Sequence, residues 1–276
     1  MSRRFHQLDV FSTQALRGNP LAVVHGAEGL DDTHLAAVAR WTNLSETTFL
    51  LPPTDPAADY RVRIFTPMGE LPFAGHPTLG SAWAWRAAGG QSVAAGRIVQ
   101  QCGVGLVTVR TDGDLLAFAA PPLRRTGPLD AATLARIVAG VRLAPADVVA
   151  HQWVDNGPGW CAVLLGSGAQ VRAITPDWPA LGDLRLGVVG PQAAGGDTAF
   201  EVRALIGDGG WEDPVTGSLN AGLAQWLIGA GRAPEAYTAA QGHTLQRAGR
   251  VHIRQEDGEV WVGGAVTPVI EGIITL

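Results

Sequence analysis

Residues 218–231, SLNAGLAQWLIGAG, contain no charged side chain and are apolar on almost every face of a helix. A segment of helical length with that pattern cannot lie on a surface, so it requires a shell of other structure around it. The residues before it, 206–217, are rich in glycine and acid, and Glu212, Asp213, Thr216 and Ser218 cluster at the helix mouth. A helix start presents unbonded N–H groups and the positive end of a dipole, so a polar cluster there can hold an anion.

The same plan occurs earlier, in residues 60–89. Val62-Arg63 matches Val202-Arg203, and Pro77-x-x-Gly80-Ser81 matches Pro214-x-x-Gly217-Ser218, with three fewer residues between the landmarks in the second copy. A nearly uncharged helical run follows each landmark, with Trp83, Trp85 and Arg86 roughly opposite Asn220, Gly222 and Leu223. Residues 18–24, GNPLAVV, are echoed more loosely by residues 157–164, GPGWCAVL. Internal similarity of this kind implies two units of similar plan. A length of 276 residues accommodates both, with a core in each.

Alternation and turn residues predict strands over 5–11, 21–24, 47–51, 60–65, 97–101, 105–110, 115–119, 152–154, 160–165, 186–189, 199–205, 237–241, 250–254, 259–262 and 265–276. Helices are predicted over 31–41, 77–88, 129–139, 144–149 and the run after Ser218. Glu256-Asp257-Gly258 fits a hairpin turn. The proline-rich stretch 121–128 reads as the linker, which gives an N-terminal domain of residues 1–123 and a C-terminal domain of 124–264. The last strand, 265–276, is expected to rejoin the first domain. Many strands around two helices apolar on all sides predict an α+β fold: two similar domains, each a curved, mostly antiparallel sheet or barrel around a central buried helix. A ligand would then be expected in a cleft between domains, with both helix starts facing it.

Several functions are disfavoured by composition. A net charge of −5 with no basic block argues against nucleic acid as a partner. No apolar run is long enough to span a bilayer and MSRRFHQLDVF lacks a following apolar region, so a soluble cytoplasmic protein is expected, without membrane association. Cys102 and Cys161 are far apart and read as buried small hydrophobes rather than a disulfide or zinc pair. The seven histidines form no close ligand pair, so no metal is expected. All twenty basic residues are arginine, which excludes a lysine aldimine to pyridoxal phosphate or any lysine Schiff base. No nucleophile elbow, phosphate-binding loop or dinucleotide fingerprint is present.

Glu46 lies between a helix end and an apolar strand, where an acid alone reads as a solvated strand start. His76 and Asp213 each precede a proline and read equally well as helix caps. Ser45 and Ser218 read as turn or cap hydroxyls.

Taken in order, the motifs LDVF (8–11), GNPLAVV (18–24), NLSETTF (43–49), RVRIFTP (61–67), ELPFAGHPT (70–78), EDPVTGS (212–218) and Gln241-Gly242 with Arg247 closely resemble the PhzF-like isomerases of phenazine biosynthesis, relatives of diaminopimelate epimerase. The resemblance spans most of the chain. It implies the diaminopimelate epimerase-like fold, a homodimer and a cofactor-free site between the domains. Matched residue by residue, it assigns the catalytic acid/base to Glu46, with His76, Asp213 and Ser218 as further catalytic residues, and substrate contacts to Ser45, Gly75 and Gly217. The cysteine pair of the epimerase and racemase relatives would fall at the Gly75-His76 and Thr216-Gly217 turns, where this chain has none. The chain departs from the pattern at Arg247-Ala248-Gly249-Arg250, where many members carry Arg-Pro-Ser.

Abstracting a proton beside a double bond without a cofactor requires a base of raised pKa and donors placed where negative charge develops. Two carboxylates in one closed cleft disfavour each other's ionisation, and burial acts in the same direction. The leading expectation is an isomerase of a small unsaturated amino- or hydroxy-carboxylic acid, with the proton carried by Glu46. An amino- or hydroxy-acid epimerase or racemase, or a non-catalytic small-acid binding protein of the same fold, are the alternatives.

Overall fold

The computed structural model describes residues 1–276 and resolves two compact units: unit 1, Met1–Ala119 with Gly263–Leu276, and unit 2, Ala120–Val262. Unit 1 begins with β1 (Ser2–Val10), β2 (Asn19–Val24), α1 (Asp32–Thr42), β3 (Glu46–Leu51), β4 (Tyr60–Thr66), β5 (Gly69–Leu71), α2 (Gly75–Ala87), β6 (Arg97–Cys102), β7 (Gly105–Asp112) and β8 (Leu115–Ala119). Unit 2 follows with α3 (Ala131–Gly140), β9 (Val148–Trp153), β10 (Trp160–Leu165), α4 (Gly168–Ala173), α5 (Trp178–Leu181), β11 (Arg185–Pro191), β12 (Phe200–Ile206), β13 (Trp211–Asp213), α6 (Gly217–Gly229), β14 (Ala236–Gln241) and β15 (Gly249–Glu256). The last strand, β16 (Glu259–Thr275), begins in unit 2 and ends in unit 1.

Unit 1 closes on itself. Its strands run in the order β1-β2-β3-β4-β6-β7-β8-β16, and β16 pairs back onto β1 from Ser2↔Thr275 to Val10↔Val266. The pairing leaves no open edge in this eight-strand barrel. Helix α2 packs against β1, β2, β3, β4, β6, β7 and β8, and its residues 75–82 are buried. This is the central helix that its nearly uncharged sequence requires, and the α+β architecture is the expected one. Polar groups that the helix buries find partners on the wall: Ser81 Oγ donates to Thr48 Oγ1 (2.9 Å), and Gln100 Nε2 donates to Thr78 Oγ1 (3.0 Å).

Unit 2 repeats the plan. Its order is β9-β10-β11-β12-β14-β15-β16, with β13 folded back onto β12 as β5 is onto β4. Parallel and antiparallel pairings recur in the same sequence: β10 is parallel to β11 as β2 is to β3, and β12 is parallel to β14 as β4 is to β6. Strand β9 ends the order, and the linker bonds to it, Trp153 N–H donating to the Gly127 carbonyl (2.8 Å). Helix α6 is buried at Leu219, Ala221, Leu223, Ala224 and Leu227.

The structure corrects the register of the repeat. Leu21 pairs with Glu46 and Trp160 with Arg185 at the first positions of the parallel ladders, so the GNPLAVV match holds, as does Arg63 with Arg203. The helices, however, start at Gly75 and Gly217. Aligning those starts sets Pro72, not Pro77, opposite Pro214, and Trp83 opposite Gln225 rather than Asn220. Pro77 is the third helical residue, where its missing N–H costs no helical bond.

Other differences have local causes. Residues 144–149 are not a helix: one 3-10 turn, Pro145–Asp147, is closed by Ala144 N–H donating to Asp147 Oδ2 (2.8 Å), and the β-branched Val148-Val149 opens β9. Short α4 and α5 arise from local caps, the Ser167 and Asp177 side chains accepting from Gln170 and Ala180 N–H. Strand β16 runs unbroken through Gly263-Gly264, where two strands were expected. A Cβ at Gly263 would lie 2.8 Å from the Leu116 carbonyl oxygen, so the glycine permits a close approach to β8 instead of ending the strand. At the other end of the hairpin, Asp257 (φ 51°) and Gly258 (φ 82°) form the expected tight turn.

Candidate active site

In unit 1 the site residues are placed by two element starts. Helix α1 ends at Asn43, whose left-handed backbone (φ 51°, ψ 35°) caps the helix and turns the chain through Leu44-Ser45 into β3. Glu46 is therefore the first residue of β3, beside Leu21 of β2. His76 is the second residue of α2, and its Nε2 lies 3.3 Å from Glu46 Oε2. Asn19 Nδ2 approaches the other ring nitrogen at 3.5 Å. Gly75 precedes the histidine because nothing larger fits: a Cβ there would lie 2.5 Å from Cζ of Phe118.

Burial sets the charge state of this group. It lowers the His76 pKa to about 3, against an opposing contribution from the Pro20 backbone carbonyl. The imidazole is thus neutral at ordinary pH, and its contact with Glu46, although within ion-pair distance, is that of a neutral ring beside a carboxyl group. The helix dipole at the start of α2 acts in the same sense, because it disfavours a cation. No side chain caps α2 at Ala74.

In unit 2 the equivalent helix start carries different chemistry. Ser218 holds the second position of α6, as His76 does in α2, and Arg185 holds the first position of β11, as Glu46 does in β3. Trp160 Nε1 donates to Ser218 Oγ (3.0 Å), and Asn156 Nδ2 donates to the Ser218 carbonyl (2.8 Å). Because an indole N–H can only donate, the serine hydroxyl keeps its own hydrogen for another acceptor. Asp213 ends β13, and its Oδ2 accepts from Thr216 Oγ1 (2.5 Å). The acid before it, Glu212, is buried and paired with Arg203 (2.7 Å) and Thr244 (3.0 Å).

Of the expected residues, the structure brings Glu46 and His76 into contact within unit 1, next to Ser45 and Gly75. Within unit 2 it sets Asp213 and Ser218 on either side of the short segment that ends in Thr216, the N-cap of α6, and its first residue, Gly217. Sequence reasoning did not assign roles to Asn19, Asn156, Trp160, Asn220 and Gln241. Asn19 and Trp160 stand in the internal repeat and Gln241 in a motif of the family resemblance, which is a signal; Asn156 carries none, because its partner is 62 positions away.

Comparison with known proteins covers nearly the whole chain. The family described as "Phenazine biosynthesis-like protein" (PhzC-PhzF) matches residues 8–272. The chain is similar to Antisense-enhancing sequence 1 of Schizosaccharomyces pombe, with 33% identity over 97% of each chain. It is equally similar to the trans-2,3-dihydro-3-hydroxyanthranilate isomerase of Pseudomonas aeruginosa, with 33% identity over 92% of this chain and 90% of that one. Among solved structures, a predicted epimerase from Pseudomonas aeruginosa is 28% identical and superposes with a TM-score of 0.80 over 99% of both chains.

Proposed function

The chain belongs to the phenazine biosynthesis-like (PhzC-PhzF) family and is an isomerase, and on that premise we propose that it moves a proton within a small unsaturated amino- or hydroxy-carboxylic acid. Glu46 takes the proton from one carbon and returns it to another, and the double bond shifts between them. The observation that carries this reading is the 3.3 Å approach of a carboxyl group to a buried, neutral imidazole. A neutral histidine can accept or donate one hydrogen bond as charge develops, without adding a fixed charge of its own. Asp213 and Ser218 serve to orient the substrate, the serine hydroxyl donating to an oxygen and the start of a buried helix favouring its carboxylate.

An epimerase would share the proton abstraction and return the proton to the same carbon. The two-thiol form of that chemistry is disfavoured by burial, which pushes the Cys161 thiol up to about 12 and raises that of Cys102, so neither supplies a thiolate near neutral pH. The acid named for the Pseudomonas aeruginosa relative, trans-2,3-dihydro-3-hydroxyanthranilate, is the first substrate to test. Incubated with the protein in deuterium oxide, it is expected to give a product with a shifted double bond, carrying deuterium at the newly protonated carbon to the extent that the proton held on Glu46 exchanges with solvent before it is returned. Deuterium at one stereocentre with inversion and no shift would favour the epimerase, and a bound acid that neither shifts its double bond nor exchanges would favour a binding protein.

A further inference from the structure

The polar groups behind Asp213 form a chain whose hydrogen-bond directions are all determined. The Thr216 backbone N–H can only donate, so the Gln241 atom facing it at 3.0 Å is the amide oxygen, Oε1. Asn220 Nδ2 donates to the same oxygen (2.8 Å) and to the Thr216 carbonyl (2.9 Å), which fixes its own amide as well. Gln241 Nε2 must then donate, and its neighbours agree: the Asp213 main-chain carbonyl at 3.1 Å can only accept, and Thr216 Oγ1 lies at 2.9 Å. Having received that hydrogen, Thr216 has a single hydrogen of its own, which goes to Asp213 Oδ2 at 2.5 Å. Gln241 and Asn220 are each 1% exposed and Thr216 6%, so water does not compete with these bonds.

We propose that Gln241 is a positioning residue for the reaction: acting through Thr216, it holds Oδ2 of Asp213 as a hydrogen-bond acceptor and fixes the plane of that carboxyl group. The inference rests on the reading of Asp213 as a substrate-orienting residue. It assigns to the end of β14 a task that proximity alone does not, because the amide could satisfy Asn220 and the Thr216 N–H without donating toward Asp213.

Gln241→Glu tests it at constant shape. The variant keeps an acceptor for Thr216 N–H and Asn220 and, at a pH high enough to ionise its buried carboxyl group, places a second acceptor against Thr216 Oγ1, which then turns its hydrogen away from Asp213. Thr216→Val removes the hydroxyl with the amide intact, and Thr216→Ser restores it. On trans-2,3-dihydro-3-hydroxyanthranilate, Gln241→Glu and Thr216→Val should each lower kcat/KM by roughly 10- to 100-fold, as expected for a lost hydrogen bond to a charged group, and Thr216→Ser should stay within about threefold of the parent. In an Asp213→Asn background the same changes should cost no more than about threefold further. A crystal structure of Gln241→Glu reads the geometry without substrate, and Thr216 Oγ1 should have left Asp213 Oδ2. Full activity in Gln241→Glu and Thr216→Val beside an impaired Asp213→Asn, or an unchanged contact in the crystal, overturns the inference and leaves the proposed function standing. An Asp213→Asn enzyme of full activity overturns the inference together with the role given to Asp213.

Discussion

His76 Nε2 stands 3.3 Å from Glu46 Oε2, with the histidine side chain 6% and the glutamate side chain 15% exposed. The pair links the first residue of a strand to the second residue of a buried helix, and the protein keeps the ring uncharged by withholding water from it.

That burial carries a pH signature. The folded His76 pKa, about 3, lies below the unfolded value near 6.5, so between those limits the unfolded chain binds a proton that the folded chain refuses. Stability is therefore unaffected above about pH 6.5 and falls as pH drops below it, by about 1.4 kcal/mol per pH unit for each such group. His25, lowered to about 4 by burial and by neighbouring His6 and Arg4, adds a contribution of the same sign. Urea unfolding between pH 6.5 and 5 should show this decline, and His76→Gln should remove one group's share of the slope. An unchanged slope in that variant would show that the folded ring already titrates near 6.5.

The repeat offers an internal comparison. Arg63 and Glu70 join β4 to β5 at 2.6 Å with side chains 24% and 41% exposed, whereas Arg203 and Glu212 join β12 to β13 at 2.7 Å with side chains 5% and 4% exposed. Removing one partner of a buried pair leaves an uncompensated charge, so Glu212→Gln should cost about 3–5 kcal/mol. Glu70→Gln, its counterpart in the solvated pair, should cost about 1 kcal/mol or less. Equal losses in chemical denaturation would contradict the burial difference.

Gly75→Ala should act through Phe118. A methyl group 2.5 Å from the ring must displace either the phenylalanine or the start of α2, at a cost of about 1–3 kcal/mol. Activity should fall with stability, because His76 is the next residue. Adding Phe118→Leu should recover part of both, and a double variant no better than Gly75→Ala alone would point away from this contact.

How much of this was legible in the sequence follows physical range. The two central helices were, because a run such as Ser218–Gly229 without charge has one tolerable environment; so was the Asp257-Gly258 turn, which needs positive φ at both positions. Strands β5 and β13 were not, since three residues carry no period and each is held by an arginine on the neighbouring strand. The continuity of β16 through two glycines was hidden for a similar reason: its cause is the Leu116 carbonyl across the sheet. At the site, Glu46, His76, Asp213 and Ser218 stood in motifs, but the directions of the bonds to Trp160, Thr216 and Gln241 exist only once residues 3 to 58 positions apart are brought together.

Ser218 should behave as a donor aimed by Trp160. Ser218→Ala is expected to raise KM as well as lower kcat, and Trp160→Phe, which removes the indole N–H, should shift both in the same direction by a smaller factor. Combined, the two should cost little more than Ser218→Ala alone, since the tryptophan acts on the substrate only through the hydroxyl. Additive losses would mean that Trp160 works through packing.

Glu46→Gln bears most directly on the proposal that this carboxyl group carries the proton. Measured with trans-2,3-dihydro-3-hydroxyanthranilate, kcat should fall by about 10²- to 10⁴-fold, the usual contribution of a general acid/base, while the affinity of the substrate stays largely intact. Turnover undiminished in that variant would contradict it.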